Sequence, residues 1–166
     1  MKQKISKINI LIKKKYKYEL LENGFSSKDI SVGKKVLNSK RITMAQNTRN
    51  FENAFAKKLG AKYALMVNSG SSANLLAAFA SGNPLRKNHY KAGDEVIIPV
   101  LCWPTSLWPF VQFGLKPVFV DIDLNTLNIS INDLVKKITN KTRAIVLVNV
   151  LGNCSDLYKI KSIAKK

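Results

Sequence analysis

Four short, apolar runs constrain what this chain can fold into: KYALMV at 62–67, DEVIIPV at 94–100, KPVFVDID at 116–123 and TRAIVLVNV at 142–150. Each has the length of a strand, and none keeps a strict polar–apolar alternation, so each reads as a strand buried on both faces. Segments of helical character separate them. NTRNFENAFAKKLG (47–60) can be capped by Asn47 or Thr48, sets Phe51 and Phe55 on one face with Leu59 beyond, and stops at Gly60. SANLLAAFA follows the first run, and a short apolar stretch ending at Gly114 follows the second. SINDLVKKIT starts with a capping box, Ser130 to Asp133, and carries Ile131, Leu134, Val135 and Ile138 on one face. SDLYKIKSIAKK opens a last helix at Ser155. Strands alternating with helices predict an α/β fold: a mostly parallel sheet flanked by helices, with right-handed crossovers.

Such sheets bind ligands beyond the carboxyl ends of their strands. Three unusual segments leave those ends: NSGSS after the first strand, PVLCWPTS after the second and NVLGNCSD after the fourth. In NSGSS, Gly70 removes a Cβ from the path of a ligand, and the helix that begins there has first-turn amides with no internal partner. Those amides and the helix dipole favour a phosphate, and Ser71 can add its hydroxyl. The pattern is neither a Walker A loop nor G-x-G-x-x-G, and Ser71 as a simple helix cap explains it equally well. Trp103 in CWPTS, stiffened by Pro104, can stack on a flat ring whose phosphate rests on Gly70 and Ser71. Trp108 reads as a core or interface residue. Asp121 and Asp123 in FVDID follow a strand and read as turn or cap residues.

The net charge of +18 raises a nucleic-acid reading. Only four of the 28 basic residues are Arg (Arg41, Arg49, Arg86 and Arg143), whereas base readout favours Arg. Half of the excess falls in residues 1–41, and the rest is spread along the chain. A lysine-rich solvated surface therefore outweighs a nucleic-acid site, and a phosphorylated small ligand fits the same charge. Cys102 and Cys154 lack metal or disulfide spacing, and the single histidine, His89, lies in a polar stretch, so no metal site is expected. No apolar run reaches the ~18 residues of a membrane span, and no signal-peptide pattern opens the chain, so a cytoplasmic protein without membrane contact is expected. The basic arm at 1–25 precedes SSKDISVGKKVLNSK, a possible helix capped near Ser26 or Ser27 with Ile30 as a core contact, weakened by Gly33.

NSGSSANLLA, then DEVIIPVLCWPTSLWPFVQFGLKPVFVDIDLNTLNI, then TRAIVLVNVLGNCSDL resemble the successive blocks of the DegT/StrS family over residues 25–166. NSGSSANL with CWPTS is most similar to its CDP-4-keto-6-deoxyglucose 3-dehydratase branch. The resemblance implies fold-type-I enzymes that use pyridoxal 5'-phosphate or pyridoxamine 5'-phosphate on nucleotide-linked 4-keto-6-deoxy sugars, as aminotransferases or 3-dehydratases, in deoxysugar and lipopolysaccharide biosynthesis. It implies that Gly70 and Ser71 donate to the cofactor phosphate, that Trp103 covers the ring, and that two copies form a homodimer. The family often has a His where Asn149 stands. Its pyridinium-pairing Asp, and its Schiff-base Lys or the His that replaces it, lie beyond Lys166, and no lysine here matches that motif. Residues 26–166 are thus expected to be the front part of a transferase large domain, holding the cofactor without a catalytic residue of their own. The alternative is a basic module that binds phosphates of nucleotides or nucleic acid.

Overall fold

A computed structural model describes residues 24–165, so the basic arm predicted at 1–25 lies almost wholly outside it. The chain divides into two compact units, Met1–Met66 and Val67–Lys166.

The described part of the first unit holds two helices, α1 (Ser27–Asn38) and α2 (Gln46–Leu59). Ser26 caps α1 in a reciprocal box: the Asp29 amide donates to Ser26 Oγ at 3.2 Å, and the Ser26 amide donates to Asp29 Oδ2 at 2.8 Å. The Ser26 hydroxyl, which donates to Asp29 Oδ2 at 2.6 Å, and then the Ser26 amide hold the Asp29 carboxyl below its usual pKa. No residue of α1 is buried, and Ile30 is 53% exposed rather than a core contact. The start of α2 also differs from expectation. Ala45 is its N-cap and makes no side-chain cap bond, because the chain enters the helix early enough to put Asn47 and Thr48 inside the first turn. Phe51 and Phe55 stack with centroids 5.5 Å apart, and Gly60 ends the helix at φ 66°, where only glycine is comfortable.

The run at 62–67 does not form a strand. The Met66 amide donates to Glu52 Oε1 at 2.8 Å, while Tyr63 and Leu65 stay exposed. An apolar run becomes a strand only where a neighbouring edge offers ladder bonds. Among the described residues no such edge meets it.

The second unit runs α3 (Gly70–Ser81), β1 (Glu95–Pro99), α4 (Pro104–Phe113), β2 (Lys116–Val120), α5 (Ile131–Lys137), β3 (Thr142–Ile145), a 3₁₀ turn (Val150–Gly152) and α6 (Leu157–Ala164). Its strands are all parallel, in the order β2-β1-β3. Ile97 of β1 faces Val118 of β2 and Ile145 of β3. β1 is the central strand, and Val96, Ile97 and Ile98 are fully buried, each contributing about 1.5–3 kcal/mol. Successive side chains point to opposite faces. On one face Ile97 packs with Val120, Ile129, Leu134 and Ile160, beneath α5 and α6. On the other Val96 packs with Tyr90 and Leu115, beneath Phe110 and Phe113 of α4.

Two ties fix α3 to this layer. The Tyr90 hydroxyl donates to the Ala78 carbonyl. Phe113 lies against Gly82, where a Cβ would come within 2.2 Å of the ring. Ser130 caps α5 through the Asp133 amide, but the Asp133 carboxylate turns to the Asp121 amide at 2.8 Å and to Lys137 Nζ at 2.8 Å, so only half of the expected box forms. The last helix is capped one residue later than expected, by Asp156, which accepts from the Lys159 amide.

Candidate functional site at the head of two helices

Ser69, not Ser71, caps α3: its Oγ accepts from the Ser72 amide at 3.2 Å, and its carbonyl accepts from the Ala73 amide at 3.0 Å. The capping bonds therefore use the third and fourth amides of the helix. The first two, of Gly70 and Ser71, have no acceptor within it. A Cβ built on Gly70 meets nothing within 4 Å, and its φ is not positive. Neither strain nor packing demands a glycine there. What the missing side chain leaves is open approach to the two amides.

α4 begins at Pro104, a proline suited to a first helical position, with Trp103 as its N-cap residue. The α3 and α4 heads are joined by a hydrogen bond from Asn74 Nδ2 to the Thr105 carbonyl, 3.1 Å long. Asn74 lies one turn, about 6 Å, beyond Gly70, and Thr105 is two residues beyond Trp103, so both sequence-predicted elements stand on the same edge of the fold. Between the helices is a cavity of about 240 Å³, walled by Ser71, Ser72 and Leu75 of α3 and by Thr105, Trp108 and Gln112 of α4.

The structure thus sets Gly70 and Ser71 in one turn and puts Ser71 on the cavity wall. Trp103 heads the opposite wall but is not part of it, and the residue is 73% exposed. Trp108, read from sequence as a core or interface residue, is on the wall instead. Thr105 and Gln112 were missed as well. Their spacing of three, four and seven positions along one helix was the signal that could have found them. The donor set, two helix-terminal amides and several hydroxyls with no carboxylate on the wall, suits an anion.

The third rim segment goes elsewhere. Asn128, buried in the loop after β2, donates to the Asn153 carbonyl at 3.0 Å and accepts from the Val150 amide at 3.3 Å. Asn149 accepts from the Ser155 amide at 3.0 Å and shapes the entrance to α6. These loops border a separate cavity of about 390 Å³. A larger one, about 720 Å³, lies along β3 and α6 and is lined by neither Gly70, Ser71 nor Trp103. Asp123 Oδ1 accepts from the Asn125 and Thr126 amides, and Asp121 Oδ1 accepts from the Ile122 amide, so both are turn residues as expected. Cys102 and Cys154 are unpaired thiols, and burial pushes that of Cys102 up. Among the described residues no cluster of His, Cys, Asp and Glu could hold a metal ion, and no helix is long and apolar enough to cross a membrane.

With this geometry in hand, comparison with known proteins is decisive. Residues 25–166 match the DegT/DnrJ/EryC1/StrS aminotransferase family. The chain belongs to that family. It is 42% identical over 146 residues to GDP-4-keto-6-deoxy-D-mannose 3-dehydratase of Escherichia coli O55:H7, a match that covers 88% of this chain and 37% of that protein. It is 35% identical over 132 residues to dTDP-3-amino-3,6-dideoxy-alpha-D-galactopyranose transaminase of Aneurinibacillus thermoaerophilus, covering 80% and 34%. Among solved structures, the E. coli GDP-4-keto-6-deoxy-D-mannose-3-dehydratase with bound hydrated PLP superposes with a TM-score of 0.83 at 42% identity, over 89% of this chain and 38% of that one. The fold is therefore the front part of a fold-type-I large domain, and the chain spans a little over a third of the length of these relatives.

Proposed function

We propose that this chain is the cofactor-holding part of an enzyme that uses pyridoxal 5'-phosphate or pyridoxamine 5'-phosphate on a nucleotide-linked 4-keto-6-deoxy sugar. The 3-dehydratase reaction is the preferred branch and transamination the second. The preference rests on the higher identity to the dehydratase, 42% against 35%. The observation that carries the proposal is the α3 head, where capping by Ser69 leaves the Gly70 and Ser71 amides pointing out of the helix beside open space.

The residues present fit such a group. A phosphate placed on the first turn of α3 receives two main-chain donors and the Ser71 hydroxyl, with the positive end of a 12-residue helix behind it. Trp103, at the α4 head, covers the ring from the neighbouring connection and limits its rotation. When bound, the cofactor supplies the electron-accepting ring that eases bond cleavage next to the sugar ketone. The chain's own residues bind and orient it, and they leave proton movement to groups outside the described residues. A lysine-rich surface suits a diphosphate-linked substrate. A cytoplasmic homodimer completes the reading.

Titration of the intact protein with pyridoxal 5'-phosphate and with pyridoxal, followed by ring absorbance, tests it. Ser71→Ala should weaken the phosphorylated form roughly tenfold, the worth of a hydrogen bond to a charged group, and leave pyridoxal nearly unchanged. Equal loss for both would refute the phosphate assignment.

A further inference from the structure

The sixth position of α4 is Pro109, a buried proline inside a helix. It has no N–H, so the Thr105 carbonyl loses the donor that would close its helical bond, and the ring crowds the same carbonyl. The replacement donor comes from the other helix: Asn74 Nδ2 reaches that oxygen at 3.1 Å. A defect in α4 is thereby repaired by α3, and the repair is directional.

We infer that Asn74 is a positioning residue that uses the carbonyl freed by Pro109 to hold the phosphate-gripping turn of α3 at a set distance from the α4 head. Asn74 follows Gly70 by one turn and sits among the wall residues Ser71, Ser72 and Leu75. Its acceptor sits among Trp103, Trp108 and Pro109. The far end of α3 is anchored independently, through the Tyr90 hydroxyl on the Ala78 carbonyl and the Phe113 ring on Gly82. Loss of the Asn74 bond therefore leaves α3 folded and attached at its tail while its head drifts. The consequence for binding rests on the cofactor reading above; the bond itself does not.

A double-mutant cycle in the intact protein separates the two. Asn74→Ala should lower pyridoxal 5'-phosphate affinity roughly two- to tenfold, the range for one neutral hydrogen bond, and should lower pyridoxal affinity less. In a Pro109→Ala background, where the new N–H of residue 109 serves the Thr105 carbonyl, the same substitution should change affinity less than about twofold. The denaturant midpoint, read without cofactor, should show the same coupling. Equal losses of affinity in both backgrounds overturn the inference. So does a coupled midpoint with unaltered cofactor affinity, which would make the bond structural only. Failure of the unaltered protein to bind pyridoxal 5'-phosphate sinks the cofactor reading, and the midpoint cycle, needing no cofactor, tells that failure apart from absence of the bond.

Discussion

A Cβ added to Gly70 would point into space that the protein does not fill. Gly70→Ala should therefore leave the denaturant midpoint unchanged or slightly raised, since alanine is the better helix former. The same methyl group stands in front of the amides proposed to meet a phosphate. Pyridoxal 5'-phosphate affinity should fall about tenfold or more, the worth of one hydrogen bond to a charged group. A stable variant with undiminished affinity would show that the α3 head is not the grip. Trp103 permits a complementary test, because an indole this exposed contributes little to the core. Trp103→Ala should keep the fold and shift the absorbance of the bound ring, and an unaltered spectrum and affinity would remove it from the site. Sequence alone singled out the turn at Gly70 and Ser71 but did not show which serine caps the helix. Asn68, Ser69, Ser71 and Ser72 can each cap a helix, and only the backbone shows that Ser69 has the extended conformation of the cap, φ −161° and ψ 161°.

Helices and strands of the second unit were legible because their apolar periodicity is fixed by burial on both faces of β1. Their ends were less so. The half-formed box on α5 shows why: the Asp133 carboxylate had a local acceptor role open to it at Ser130, yet a tertiary donor, the Asp121 amide after β2, took it. That bond, with the Lys137 ammonium, holds the Asp133 carboxyl below its usual pKa. A depressed folded-state value means stability that is present above the unfolded value of about 3.9 and lost as pH falls through the lower folded value. Acid unfolding below about pH 4 should accordingly be less steep in Asp133→Ala, and its midpoint at neutral pH lower; identical acid limbs for both proteins would discount the link between β2 and α5. The run at 62–67 misled for a related reason. Its composition is that of a strand, but a strand needs a partner, and composition does not name one.

At the scale of the whole molecule, the composition of the cavity wall matters more than its shape. Serine, threonine, leucine, tryptophan, proline and glutamine surround it, and none of them titrates near neutrality. His89 is occupied with the Arg86 carbonyl at 2.8 Å, in the loop after α3. A site built this way can hold a phosphate and a ring, but it has no group fitted to take and return a proton at neutral pH. The relatives are between two and three times as long as the matched segment, and the missing base is proposed to lie in what corresponds to their remainder. The 166-residue chain alone should then bind pyridoxal 5'-phosphate and show no turnover of a nucleotide-linked keto sugar, followed by chromatography of the sugar product. Measurable product from the pure chain would mean that a described residue moves the proton and that the division of labour is wrong. In a chain extended by a segment corresponding to the relatives' remainder, a lysine at the Schiff-base position should give an aminated sugar, and a histidine there should give loss of the C3 hydroxyl.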